Sequence, residues 1–356
     1  MKKNTSLTDI IYYCRWAIIF TIIGALLSIW VGWETTQTIS GTIKTVYVCM
    51  ILAIMEISLS FDNAILNAKN LQKMSLIWQK RFLTWGILIA VFGMRVIFPV
   101  MIVCILGKIN PIEAINIAVF HPQDYLKIIT DAHLPIAGFG GTFLMMVGLS
   151  FFFDTKKNIH WIKFVEHPIC NLAVIRGSKV IIVLLSILGI SYRLSIEDIY
   201  ILIYSSIFAL MAFYAINFLE YIMSKDNHKI IIGQGKYGFS LFLYLEIIDA
   251  NLSFDGVISS FAITKNFFII IIGLAIGAVY VRSITLLILE KGILSKYQYL
   301  EHGAFYAIII LSIVMFLQII IEVPEVFTGT SSVILIVSSI LSSIYSRRNH
   351  LTKKQI

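Results

Sequence analysis

The chain has 356 residues, 58% of them hydrophobic and 13% charged, with a formal net charge of +8 and a mean hydropathy of +0.88. Soluble domains sit nearer 45–50% apolar and about 25% charged, so this composition excludes a water-covered globule and calls for lipid as solvent. The positive charge does not point to nucleic acid, because no soluble domain is left to carry such a surface and excess Lys and Arg in membrane proteins mark cytoplasmic loops.

A helix needs roughly 20 apolar residues to cross the hydrocarbon core. On that measure the chain predicts ten spans, near residues 10–33, 43–66, 82–106, 136–153, 179–194, 197–223, 238–262, 266–289, 303–321 and 330–346. The first is longer than the apolar core of a leader and has no small-x-small site after it, so it reads as a span and not a signal peptide. Loops rich in Lys and Arg (67–81, 154–178, after span six, after span eight, and the C-terminus) alternate with loops that are acidic or poor in them. That alternation fits ten crossings and places both termini in the cytoplasm. Cys14, Cys49, Cys104 and Cys170 show no CxxC or CxH spacing and read as reduced residues, with neither a disulfide frame nor a zinc site.

Two of the spans carry acids in nearly the same words. Span two reads "MEISLSFDNAIL" and span seven "EIIDANLSFDGVI", sharing Leu-Ser-Phe-Asp at 59–62 and 252–255. Each motif helix ends in Lys-Asn, at 69–70 and 265–266, and each is followed by a span with one arginine, Arg95 or Arg282. Spans two and seven cross in opposite directions, so the expectation is two inverted halves, residues 1–194 and 195–356, forming one membrane domain. Inverted repeats mark secondary transporters, whose sites lie near the midplane between the halves.

Aligned on these motifs, Glu56 stands opposite Asp249, Asp62 opposite Asp255 and Asn63 opposite Gly256. At about 100° per residue, Glu56, Ser60 and Asn63 share one helix face, as do Asp249, Ser253 and Gly256. Asp62 and Asp255 point away, so the helices must break near 60–63 and 253–256 for them to join. A set of carboxylate and amide oxygens without sulfur or imidazole suits a hard divalent cation such as Mg²⁺, Ca²⁺ or Mn²⁺. The seven histidines all fall in predicted loops or at span ends, which argues against a zinc carrier or an intramembrane metalloprotease. The metal-site candidates are therefore Glu56, Asp62, Asn63, Glu246, Asp249 and Asp255, with Arg95 and Arg282 as internal counter-ions. A structural alternative is that Glu56 pairs with Arg95, and Asp249 with Arg282, only to lock helices together. Five acids against two arginines leave a surplus that pairing alone does not absorb.

The stretch "EISLSFDNAI" resembles the signature of the TerC family of integral membrane proteins, grouped with the LysE-type exporters. Glu56, Asp62 and Asn63 match its first motif, and Asp249 and Asp255 take the acidic positions of the second, with Gly256 where the first has Asn. The resemblance covers most of spans two to four and seven to nine; ten spans is more than that family typically has. It implies manganese export across a bacterial inner membrane. The combined expectation is an all-α polytopic transporter of Mn²⁺ or a related cation, with no enzymatic activity and no resident cofactor. Its partners would be the metal ion and the bilayer, and a homo-oligomer is compatible with the sequence. The rival expectation is a non-transporting membrane scaffold whose acids serve helix packing.

Overall fold

In the computed structural model the chain is an all-α, multi-pass membrane protein. The structure describes residues 7–155, 157, 159–173, 175, 177–225, 236–264, 266–321, 323 and 325–352. In order, the helices are α1 (Leu7–Thr36), α2 (Ile39–Leu59), α3 (Phe61–Leu71), α4 (Leu76–Leu88), a π-helical stretch (Ile89–Ile97), α5 (Phe98–Gly107), α6 (Pro111–Phe120), α7 (Pro122–Asp131), α8 (His133–Phe152), α9 (Lys163–Leu172), α10 (Ser178–Ser191), α11 (Ile196–Lys225), α12 (Lys236–Ile263), α13 (Phe267–Glu290), α14 (Ile293–Lys296), α15 (Leu300–Gln318) and α16 (Glu325–Thr352). No strand occurs among the described residues.

Each predicted span corresponds to a helix or a run of helices, and among the described residues eight of these are long and apolar enough to cross a membrane by length and composition. The predicted fifth span is the 14-residue α10. The seventh is α12, 28 residues long, which carries the acids of the second motif. Span two is broken once, at Ser60, where φ −104° and ψ 15° separate α2 from α3. The break is a kink and not an unwinding, since Ser60 N still donates to Glu56 O at 3.0 Å and Ala64 N to Ser60 O at 3.2 Å. Ser60 begins α3 without a side-chain cap, its hydroxyl turned to Glu56, and the acid in the following first turn, Asp62, suits a helix start there. The break expected near 253–256 is absent, and α12 runs through those positions as continuous helix. Span three contains the π-helical turns. Pro99 lacks an N–H to donate to Arg95 O and its ring crowds that carbonyl, so the regular ladder is lost just where the wider turns end.

The packed bodies do not follow the predicted halves. One compact unit comprises residues 1–132 and 229–291, the other 133–228 and 292–356. A boundary at 194/195 thus divides the sequence but not the packing. Of the helices paired by the two halves, spans two and seven and spans three and eight share the first unit, and four and nine and five and ten share the second, whereas span one lies in the first unit and span six in the second.

In the first unit α13 is the central helix, packed by α1, α2 and α3. Gly273 and Gly277, four residues apart, let α2 approach closely: a Cβ at 273 would lie 2.6 Å from Leu52 Cβ and 2.9 Å from Cys49 O, and one at 277 would lie 2.5 Å from Glu56 Cβ. Small residues at this spacing are a common means of close helix approach in lipid, where van der Waals packing carries association. In the second unit α8 is central, with α11 and α15 against it. Phe151 stacks on Phe305 with ring centroids 4.0 Å apart, and Phe151, Phe152 and Phe153 are buried. The aromatics beginning at 151 therefore start in the core of the second unit.

Candidate functional site

The buried acids of the first unit lie on α2, α3 and α12, and the arginines beside them on the π-helical stretch and α13. Glu56, in the last turn of α2, is buried against Gly277. Its Oε1 accepts from Ser60 Oγ at 3.0 Å and from Arg95 Nη2. The widened turns of the π-helical stretch carry Arg95, whose Nε donates to Leu274 O at 3.1 Å and whose Nη1 donates to Ala90 O. The guanidinium is thus fixed by two carbonyls as well as by Glu56.

The second half repeats the arrangement. Asp249 on α12 accepts from Arg282 Nη2 at 3.2 Å through Oδ2, and from Asn63 Nδ2 at 2.5 Å through Oδ1. Arg282 also lies over the Phe82 ring at 4.0 Å and donates to Gly86 O at 3.4 Å. Glu246, one turn before Asp249, has Oε1 3.7 Å from Arg282 Nη2, and neither of its oxygens accepts a hydrogen bond. Gly86 makes room here, since a Cβ on it would stand 3.1 Å from Glu246 Oε1. The contact between motifs is reciprocal: Asn63 reaches Asp249, while the equivalent position 256 faces Glu56, with a Gly256 Cβ 2.9 Å from Glu56 Oε2.

Asp62 stands apart from these pairs. It is fully buried, its Oδ1 accepts from Asn63 N at 2.9 Å, and its Oδ2 has no partner. Asn63 Oδ1 and both amide atoms of Asn67 are likewise buried and unpartnered. The side chain of Asp255 lies outside the described residues. Among the described residues no three His, Cys, Asp or Glu groups gather closely enough to hold a metal ion. The arrangement is two acid–arginine pairs flanked by buried oxygens without donors. Four buried carboxyls, Glu56, Asp62, Glu246 and Asp249, face two guanidiniums. Such groups inside a membrane are costly and mark ion pathways or relays unless paired.

Asn67 escaped the sequence reading, and Asn70 entered it only as the end of the motif helix, although Asn63, Asn67 and Asn70 repeat at helical spacing. A second cluster also escaped it. Glu166 on α9, in the second unit, is the sole acid of the stretch 156–178. It is fully buried, its Oε2 accepts from Lys157 Nζ at 2.9 Å and lies 3.0 Å from His160 Nδ1, and its Oε1 accepts from Trp161 N, Ile162 N and Tyr306 OH. His302 Nε2 lies 3.6 Å from Oε2 and 2.8 Å from Ile159 O. One signal was available, a single acid in a basic, histidine-bearing stretch.

Burial pushes the Glu166 carboxyl up, but Lys157, the Ile162 amide and His302 pull it down further, and the balance lies below the ordinary value. The stabilisation is then present above the unfolded value, near 4.3, and fades as pH falls through the lower folded one. Glu166→Gln is expected to lower thermal stability in detergent by about 1.5–3 kcal/mol at pH 7. The gap from wild type should close below about pH 4; a gap constant from pH 7 to 3 would contradict the assignment.

A family profile described as a protein of unknown function (DUF475) matches residues 61–350, which takes in every candidate site residue except Glu56. No curated protein and no solved structure matches the chain.

Proposed function

The chain belongs to the DUF475 family, and we propose that it is a secondary transporter of a hard divalent cation, Mn²⁺ foremost, moving through the buried oxygens of the first unit. One observation carries this reading: Asp62 Oδ2, Asn63 Oδ1 and both Glu246 oxygens are buried without donors, directly beside two acid–arginine pairs. Oxygen-only donors of this kind suit Mn²⁺, Mg²⁺ or Ca²⁺. The likeness of "EISLSFDNAI" to the TerC signature favours manganese and export from the cytoplasm of a bacterium, with both termini inside.

In this reading Arg95 and Arg282 hold Glu56 and Asp249 when no cation is bound. A dication arriving at Asp62 and Asn63 competes with Arg282 for Asp249, which already touches Asn63. Glu246, 3.7 Å from the same guanidinium, stands ready to take up its charge. Asp255 belongs to the proposed ligand set through its alignment with Asp62. No chemical transformation is involved and no resident cofactor is needed.

The test is Mn²⁺ flux in proteoliposomes, with the manganese content of expressing cells beside it. Asp62→Asn conserves volume and leaves both arginine pairs intact. It is expected to fold as wild type and to lose at least about tenfold in flux. Equal flux in the two, at equal reconstituted amounts, removes Asp62 from the path. The rival reading, a membrane scaffold, is favoured by the formed pairs Glu56–Arg95 and Asp249–Arg282. It requires that wild type carry no divalent cation at all.

A further inference from the structure

Helix α3 is buried over nearly its whole length, from Asp62 to Ala68 and again at Asn70 and Leu71. A helix so enclosed is ordinarily apolar on every face, yet this one carries Asn63, Asn67 and Asn70 at i, i+4 and i+7, a single line along its surface. Asn63 spends its amide nitrogen on Asp249, and Asn70 Nδ2 donates to Leu66 O at 3.1 Å. Asn67, with no exposed surface, has no partner for either amide atom. Leu fills nearly the same volume without the penalty of a buried, unpaired amide. Helix packing therefore gives no reason for Asn at 67.

The register of α12 supplies a second, independent observation. Asn63 bonds Asp249, while Leu71 shares a core cluster with Leu241 and Leu245, so α3 and α12 run antiparallel. Asn67, midway between Asn63 and Leu71, then comes level with Leu245 and Glu246. Glu246 is a buried side chain of α12 whose oxygens accept no hydrogen bond. Two buried polar side chains without hydrogen bonds thus stand at one level of facing helices, one turn from the Asn63–Asp249 contact, on the way to the basic turn after α3.

We propose that the buried asparagine line of α3 is a hydrophilic route for a hydrated divalent cation between the Asp62 and Asn63 oxygens and the turn at 72–75, with Asn67 and Glu246 a ligand station along it. The proposal rests on the transport reading and adds the route and the residues that line it. A carboxamide and a carboxylate there replace part of the hydration shell as the ion passes, and neither gives up a hydrogen bond to do so, while Glu246 is shared with Arg282 at 3.7 Å.

Two measurements judge it. Asn67→Cys, in membrane vesicles of both orientations, is expected to react with a membrane-impermeant cationic thiol reagent about tenfold faster than Ile65→Cys, an equally buried position off the line. Mn²⁺ should slow that reaction. Equal, slow labelling at both positions overturns the route. Asn67→Leu is expected to match or exceed wild-type thermal stability in detergent while Mn²⁺ flux in proteoliposomes falls about tenfold or more. A transporting wild type with an unaffected Asn67→Leu overturns the route alone. A wild type without any divalent flux overturns the transport reading, and the cation with it.

Discussion

Glu56→Met is expected to cost about 3–5 kcal/mol, because it strands the Arg95 guanidinium in a buried site without its carboxylate. Arg95 would keep only the carbonyls of Leu274 and Ala90, which carry no net charge. Against a total stability on the order of 5–15 kcal/mol, that loss should appear as a sharp fall in melting temperature and in protein recovered from detergent. Adding Arg95→Met should restore most of the loss, since apolar residues of similar volume often replace a buried ion pair at no net cost. The double variant then separates the two roles of the pair. If the pair serves the cation, the refolded double variant carries little Mn²⁺; if it only holds α2 to the third span, flux returns with the fold. A double variant as unstable as the single would show that the Arg95 charge was not the source of the damage.

Gly277→Leu is expected to do comparable harm by a different route. Its Cβ alone would stand 2.5 Å from Glu56 Cβ and 2.9 Å from Ala53 O. Backbone cannot yield as the end of a flexible side chain can, so α2 must move away from α13 and take Glu56 with it. Overpacking of this kind costs about 1–3 kcal/mol and occasionally more; here the loss of the helix contact should put it at the upper end. The control is Gly189→Leu on α10, where an added Cβ meets nothing within 4 Å. It should leave the melting temperature unchanged. Similar losses at the two glycines would mean that the close approach of α2 to α13 is not what Gly277 provides.

Much of the fold was legible because lipid imposes a length and a polarity on every crossing segment. All ten predicted spans correspond to helices, and α10, at 14 residues, is the one that falls well short of a full crossing. A break near Ser60 was legible from the serine and asparagine there and from Asp62 pointing off the shared face, but as an unwinding and not the kink that forms. Its supposed counterpart in α12 was not, because sequence alignment carries residues across and not the local hydrogen bonding that decides a break. Nor were the packed units readable, since which helices adjoin depends on surfaces such as Gly273 and Gly277 meeting Leu52 and Glu56. The acids and their pairing arginines could be named because charge in a greasy span is conspicuous. Asn67 was harder to notice: an uncharged amide draws attention only once its burial and lack of partners are known. Glu166 was hidden by the basic residues around it, which turned out to be its partners.

The exchange at the centre of the first unit, Asn63 to Asp249 and position 256 to Glu56, has a bearing on ancestry. Two segments that meet by swapping equivalent positions make a contact that two copies of one segment could make. A half-length forerunner inserted in both orientations could therefore have assembled it before the halves were joined. Joined in one chain, two such copies would be free to change separately. The glycine at 256, where the first motif keeps an asparagine, is a difference that identical copies could not have held.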